Sequence, residues 1–251
     1  LSRPPAFRPE IGPPPADIVK MLAPSGILRA GINLSNFLLV SARTADGGPA
    51  GVSPDMARAI ADHLGLAIQY VTYPSPGVLA DAAGSNEWDI GLIGAEPQRA
   101  EVISFTPAYA EIEATYLVSA GSPFKSIADV DVAGARIAVT DRTAYGLWLD
   151  RNIRQAELVR SSTIDDALRD FRDQKLDALA GLRARLISDA ATLPGSRILD
   201  GRFMTVQQAV GTPKAKSAAI PYLARFVEAA SASGFVDELI RHHKVQGLSA
   251  A

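Results

Sequence analysis

From residue 27 onward, short apolar runs alternate with amphipathic helical stretches, the order expected of βαβ units built around mainly parallel sheets. Residues 27–32 predict a strand. A helix follows: Ser53 reads as its N-cap, Pro54 as its first helical residue and Asp55 as an acid favoured by the positive helix end. Met56, Ile60 and Leu64 recur every four residues as one apolar stripe, which Gly65 ends. Residues 66–73 then predict a strand, 78–83 a helix and 89–94 a third strand. The pattern restarts near 115–118. It continues with a strand at 136–140, a helix at 145–152, a strand at 158–160, a helix capped by Thr163 with Ile164, Leu168 and Phe171 on one face, and a strand at 177–181. Helices near 220–230 and 235–242 close the chain.

Ahead of this series, Pro4, Pro5, Pro9, Pro13, Pro14 and Pro15 remove too many backbone donors for a helix or an inner strand, so residues 1–23 are expected to form an extended arm outside the core. Composition adds exclusions. With 47% hydrophobic and 21% charged residues the chain falls among folded globular proteins. A net charge of −2, with no lysine or arginine cluster, gives no attraction to phosphate backbones, so no nucleic-acid partner is expected. No apolar run approaches the ~20 residues that span a bilayer, so no membrane insertion is expected either. The chain has no cysteine, which removes disulfides, thiolate catalysis and cysteine-ligated metals, and no lipidated N-terminal cysteine is expected. The three histidines, His63, His242 and His243, form no recognisable metal set, and neither a phosphate-cradling glycine loop nor a dinucleotide fingerprint is present. No metal or cofactor is expected. Trp88 and Trp148 read as packing residues.

Several stretches share an order and spacing: Gly-Ile-Leu-Arg-Ala-Gly-Ile at 26–32, Gly-Val-Ser-Pro-Asp-Met-Ala-Arg-Ala-Ile-Ala-Asp-His-Leu-Gly at 51–65, and Trp-Asp-Ile-Gly-Leu-Ile-Gly at 88–94. Arg99, Phe105 and Tyr109 follow, then Gly-Ala-Arg-Ile-Ala-Val-Thr-Asp-Arg-Thr at 134–143 and Gln-Lys-Leu-Asp-Ala-Leu-Ala-Gly at 174–181. Together these resemble the extracellular (periplasmic) solute-binding protein family 3, the polar amino-acid type that serves ABC importers. The resemblance covers about residues 26–247, with an apparent shortening between Gly94 and Arg99. It implies an α/β, type II periplasmic binding fold: two lobes, each a mainly parallel sheet flanked by helices, joined by two crossing strands. Lobe one is expected at 24–113 plus 206–251 and lobe two at 114–205, with a small ligand held in the cleft between them by lobe closure. It further implies a periplasmic protein exported by a Gram-negative cell, its signal peptide removed, with a membrane permease as partner.

The resemblance places Arg99 as the guanidinium that grips the ligand's α-carboxylate, a group that a planar fork of donors suits better than a lysine. Asn33, Asn36 and Phe37 match ligand-facing loop residues, although asparagine is also a plain turn former. Tyr73 matches a second aromatic wall or is a half-buried core residue. Gly94, Ala95 and Glu96 belong to the same implied site. In the second lobe, Arg142 and Thr143 open a helix whose free N–H groups suit an anion, with Thr143 either binding or only capping.

One residue after Gly181 the family carries an aspartate that pairs with the ligand's α-ammonium; here the residue is Leu182, followed by Arg183. A buried ammonium without a partner costs several kcal/mol. An organic acid or dicarboxylate is therefore expected ahead of an ordinary α-amino acid, unless Glu96 supplies the lost charge instead of pairing with Arg99. The chain is read as a binding protein and not an enzyme. The alternatives are a cyclohexadienyl dehydratase-like enzyme, which lacks its acid once Leu182 is in place, and a sensor domain of a receptor, which the lack of a following apolar segment disfavours.

Overall fold

A computed structural model describes residues 2–251. The chain divides into two compact units, one running to Glu111 and resuming at Gln207–Ala251, the other spanning Ile112–Val206. In the first unit, β1 (Ile27–Asn33) lies between β2 (Ala67–Tyr73) and β3 (Ile90–Ala95), both parallel to it. The register runs from Ile27 opposite Ala67 to Asn33 opposite Tyr73, which brings the carboxyl ends of β1 and β2 level. Two long strands, β4 (Ile103–Val118) and β8 (Met204–Pro213), carry the chain from one unit to the other. The first-unit part of β8 pairs antiparallel with β3. In the second unit, β5 (Arg136–Thr140) lies between β6 (Glu157–Ser161) and β7 (Ala178–Leu182), parallel to both, and β7 pairs antiparallel with the end of β4.

The helices are α1 (Ala16–Leu22), α2 (Val52–Leu64), α3 (Pro76–Asp81), α4 (Ala144–Asn152), α5 (Ile164–Asp173), α6 (Arg183–Ala190), α7 (Ile220–Ala232) and α8 (Phe235–His242). The stripe of Met56, Ile60 and Leu64 on α2 is buried, and Gly65 takes the left-handed conformation that closes the helix. The start of α2 corrects the sequence reading. The helix begins at Val52 after Gly51, so Pro54 stands in its third position and Ser53 does not cap it. Instead the Ser53 backbone N–H and hydroxyl both donate to the Leu39 carbonyl, at 3.1 and 3.4 Å, and tie the first turn to the preceding loop. That close approach explains Gly51: its φ is 151°, and a Cβ there would sit 2.3 Å from the Leu39 oxygen. Gly51→Ala is expected to lower stability by about 1–3 kcal/mol, the usual cost of forcing atoms into packed space. Urea denaturation checks this; an unchanged midpoint would show that residues 39–41 yield freely.

The arm is also corrected. Residues 2–15 form no regular element, as six prolines demand, but α1 occupies 16–22 and buries Leu22 completely. Beyond Pro15 nothing opposes a helix, and a proline is tolerated at its start. Nor is the arm outside the core. The Phe7 ring stacks on Phe235 (centroids 4.5 Å) and meets Phe226 edge-on (5.3 Å). Trp88 is a packing residue: it is fully buried, and its indole N–H donates to the Leu79 carbonyl at 3.1 Å.

Candidate functional site

Ligands of open parallel sheets meet the carboxyl ends of the strands, where loops and helix N-termini converge. In the first unit these ends carry most of the residues expected from the sequence. Beyond β1, Asn33 Oδ1 accepts from the Ser35 backbone N–H (3.0 Å) and hydroxyl (2.7 Å), while Asn36 Oδ1 accepts from the Leu38 N–H (3.2 Å). Both asparagines thus use their side-chain oxygens to shape the turn. Between them and the buried Leu38, the Phe37 ring is left 41% exposed, a large apolar group at the mouth of the strand.

Gly94 and Ala95 end β3, in register with Gln208 and Gln207 of β8. Glu96 follows at 5% exposure, its Oε2 accepting from the Gln98 N–H at 3.0 Å and its carbonyl accepting from the Ala100 N–H at 2.9 Å. Arg99 opens the next short turn and is only 4% exposed, with Nη1 donating to the Gly94 carbonyl at 2.9 Å. A guanidinium so withdrawn from water is no solvated surface arginine. Its desolvation has to be offset by groups aimed at it, and the β3 carbonyl is one of them.

Tyr73 ends β2 but does not aim at this loop. It is buried against Leu79, Trp88 and Ile103, and its hydroxyl donates to Glu87 Oε2 (2.8 Å) in the segment that precedes β3. Burial and the Glu87 carboxylate push its pKa well above the usual phenol value. It is a core residue of the first unit.

In the second unit, Thr143 is the N-cap of α4. Its Oγ1 accepts from the Gly146 N–H (3.1 Å) and donates to the Thr140 carbonyl (2.8 Å), which leaves it little capacity for a ligand. Gly146 fits this arrangement because a Cβ there would lie 2.8 Å from both oxygens. Just before the cap, Arg142 has φ 59°, a left-handed conformation uncommon in a residue other than glycine, and it is exposed.

Leu182 ends β7 opposite Ala114, packs on the second unit's core and precedes α6, to which it gives no side-chain cap. Arg183 is engaged within its own unit: Nε donates to Glu113 Oε2 at 2.7 Å and Nη2 to the Gly201 carbonyl, while Arg202 Nη1 reaches Glu113 Oε1 at 2.9 Å. Hydrogen bonds from Arg183 and then Arg202 hold the Glu113 carboxyl below its usual range. Arg183 is thus committed to contacts within its own unit. A second arginine passed unnoticed in the sequence: Arg185 bridges Asp189 (2.8 Å) and Asp165 (2.7 Å), joining α6 to the first turn of α5. The four-residue spacing of Arg185 and Asp189 was its one visible signal.

Two α/β units linked by two strands, each with a parallel sheet whose carboxyl ends carry these loops, define a type II periplasmic binding fold. The chain belongs to the bacterial extracellular solute-binding proteins, family 3, whose family model matches residues 28–245. A solved structure of a mutant of ArgBP from T. maritima is 19% identical at a TM-score of 0.71, with 91% of this chain and 100% of that one covered. A binding component of an ABC transporter from Wolinella succinogenes, complexed with lysine, is 19% identical at 0.71, covering 87% and 95%. The ancestral amino acid-binding protein AncCDT-1, a precursor of cyclohexadienyl dehydratase, is 18% identical at 0.70, covering 89% and 98%. No curated protein matches the chain by sequence. The family and the first of these structures are those of binding proteins, and the family is extracellular. Among the described residues no helix is long and apolar enough to cross a membrane.

Proposed function

We propose that this chain is the periplasmic solute-binding subunit of an ABC importer, delivering to a membrane permease a small ligand whose charge is mainly negative: an organic acid or dicarboxylate ahead of an α-amino acid. The observation that carries the ligand class is Leu182. It packs on the core of its unit and brings no carboxylate to the end of β7, where a ligand ammonium would need one. Arg99 supplies the opposite charge in the first unit, and the Phe37 ring offers an apolar wall. In the second unit the exposed Arg142 precedes the first turn of α4, whose backbone N–H groups add to the positive potential.

A thermal-shift screen of organic acids against amino acids tests this reading. A ligand at about 100 times its dissociation constant adds roughly 2.7 kcal/mol of stability, enough to move the melting temperature visibly. Dicarboxylates and other small acids are expected to raise it, and to keep doing so in Glu96→Gln. If only α-amino acids raise it and Glu96→Gln abolishes that rise, Glu96 holds an ammonium and the organic-acid reading is wrong.

A further inference from the structure

Gln208 is a buried polar residue of the first unit whose side chain has no role in holding that unit together. It stands in β8 directly opposite Gly94, at the carboxyl end of β3, and is 4% exposed. Among the described residues its side-chain amide has no hydrogen-bond partner. The polar groups around it are engaged. Asn33 and Asn36 shape the turn after β1, Glu96 accepts from the Gln98 N–H, and Arg99 donates to the Gly94 carbonyl. Opposed residues of an antiparallel pair project to the same face of a sheet. On that face the next pair, Val210 and Leu92, is buried apolar core, while Gly94 brings no side chain to meet the amide. Gln208 thus sits where the core gives way to the loops of the candidate site, opposite the residue whose carbonyl holds Arg99. An amide withdrawn from water without a partner lowers stability, and native interiors rarely keep one without a use.

We propose that Gln208 is a specificity-determining residue that pairs with a hydroxyl group near the ligand's carboxylate, so that the acid this protein prefers is a hydroxy acid. The inference rests on the organic-acid reading above, with Arg99 as the carboxylate clamp, and narrows the ligand class. A glutamine amide is uncharged and has an acceptor, Oε1, and a pair of donors on Nε2. A ligand ammonium could use only Oε1, and a further carboxylate only Nε2. Either would bring a formal charge against an uncharged group in a poorly hydrated place. A hydroxyl both donates and accepts, and brings no charge. Gly94 joins the two binding groups, with its carbonyl on Arg99 and its backbone opposite Gln208. A carboxylate on Arg99 therefore has its nearest carbons, and any hydroxyl they carry, beside the amide. An unsubstituted chain leaves the amide unpaired and gains nothing from it. A site that hydrogen-bonds a hydroxyl rejects the analogue lacking it far more strongly than an apolar pocket tells apart one methylene.

Isothermal calorimetry with two pairs of acids that differ by one hydroxyl, malate against succinate and lactate against propionate, tests this. In a pair that binds, the hydroxy acid is expected to bind at least about 10-fold more tightly. Gln208→Met keeps an unbranched side chain of similar length without the amide. There the preference should all but vanish, while the affinity for the plain acid is kept. The same variant, measured without ligand, is expected to melt about 2–4 °C higher, since it no longer buries an unpaired amide. Equal or reversed affinities within the wild-type pairs overturn the inference and leave the organic-acid reading in place. A wild-type preference that survives in Gln208→Met does the same. A ligand-free variant that melts below the wild type, or fails to fold, assigns the amide a packing role and overturns the inference as well. If none of the four acids binds, the inference falls, and the thermal-shift screen decides the organic-acid reading on its own.

Discussion

Replacing Asp89 with alanine is expected to destabilise the first unit by about 3–5 kcal/mol, the range seen when one partner of a buried charge network is removed. Asp89 is 1% exposed, at the entry to β3. Its carboxylate accepts from the Arg29 backbone N–H (2.8 Å), from Arg29 Nε (3.1 Å) and Nη2 (2.7 Å), and from Lys216 Nζ (2.5 Å). Arg29 is also anchored on Asn86, through its carbonyl (2.6 Å) and Oδ1 (2.9 Å), and Lys216 on the Leu22 carbonyl (2.8 Å). One carboxylate thus joins β1, the entry to β3, the end of α1 and the turn that leads into α7. Without it two cations face each other around a void. Burial alone would raise the Asp89 pKa, but the hydrogen bonds from Arg29 and Lys216 outweigh it and the net shift is downward. The stability it contributes is therefore complete above the unfolded aspartate value of about 3.9 and is lost as the pH falls through the lower folded value. Urea denaturation of the wild type and Asp89→Asn should show a gap at neutral pH that narrows in acid, as protonated Asp89 comes to resemble asparagine. A gap independent of pH would mean that the charge contributes nothing beyond shape.

Strands and helices whose burial follows a single period were legible in the sequence. Residues 220–232 and 235–242 are examples, because one face of each packs on its own unit, whereas 136–140 was legible as a short continuous apolar run that is buried on both faces. The elements that escaped follow other rules. In β8, Gln207 and Gln208 interrupt the apolar run, so no period marks the strand and only the resemblance implied a crossing there; in the sheet they lie beside Ala95 and Gly94, with Gln208 buried. α6 starts after a leucine with Arg-Ala-Arg and shows no capping signal, so nothing announced it. The packing of Phe7 depends on rings more than 200 residues farther on, which no local pattern encodes. Asp89 looked like the first residue of a strand, since the pairing of a buried charge is a tertiary fact. At the candidate site, no periodicity separated Arg99 from the chain's other arginines, and its place in the family's order of residues singled it out. The partners of Arg183 became visible only once β4 and the Gly201 turn were in place.

The reading of Arg99 as the carboxylate clamp leads to the other large effect. Arg99→Ala is expected to weaken binding of the best acid from the thermal-shift screen by about 2–5 kcal/mol, the cost of stripping one partner from a buried, hydrogen-bonded charge pair. That corresponds to roughly 30-fold to several thousand-fold in dissociation constant. The guanidinium is already desolvated and held to the Gly94 carbonyl, so a ligand carboxylate meets a donor that loses little further freedom on binding. Arg99→Lys separates charge from geometry. A lysine keeps the positive charge but presents a point donor in place of a planar fork, so its affinity should fall between those of wild type and alanine. Removing Arg99 also leaves the Gly94 carbonyl without this donor, so each variant has to be shown folded by circular dichroism before its titration counts. Isothermal calorimetry then gives the answer. A folded Arg99→Ala that binds the same acid with wild-type affinity would take Arg99 out of the site, and the buried guanidinium would then serve only to hold the end of β3.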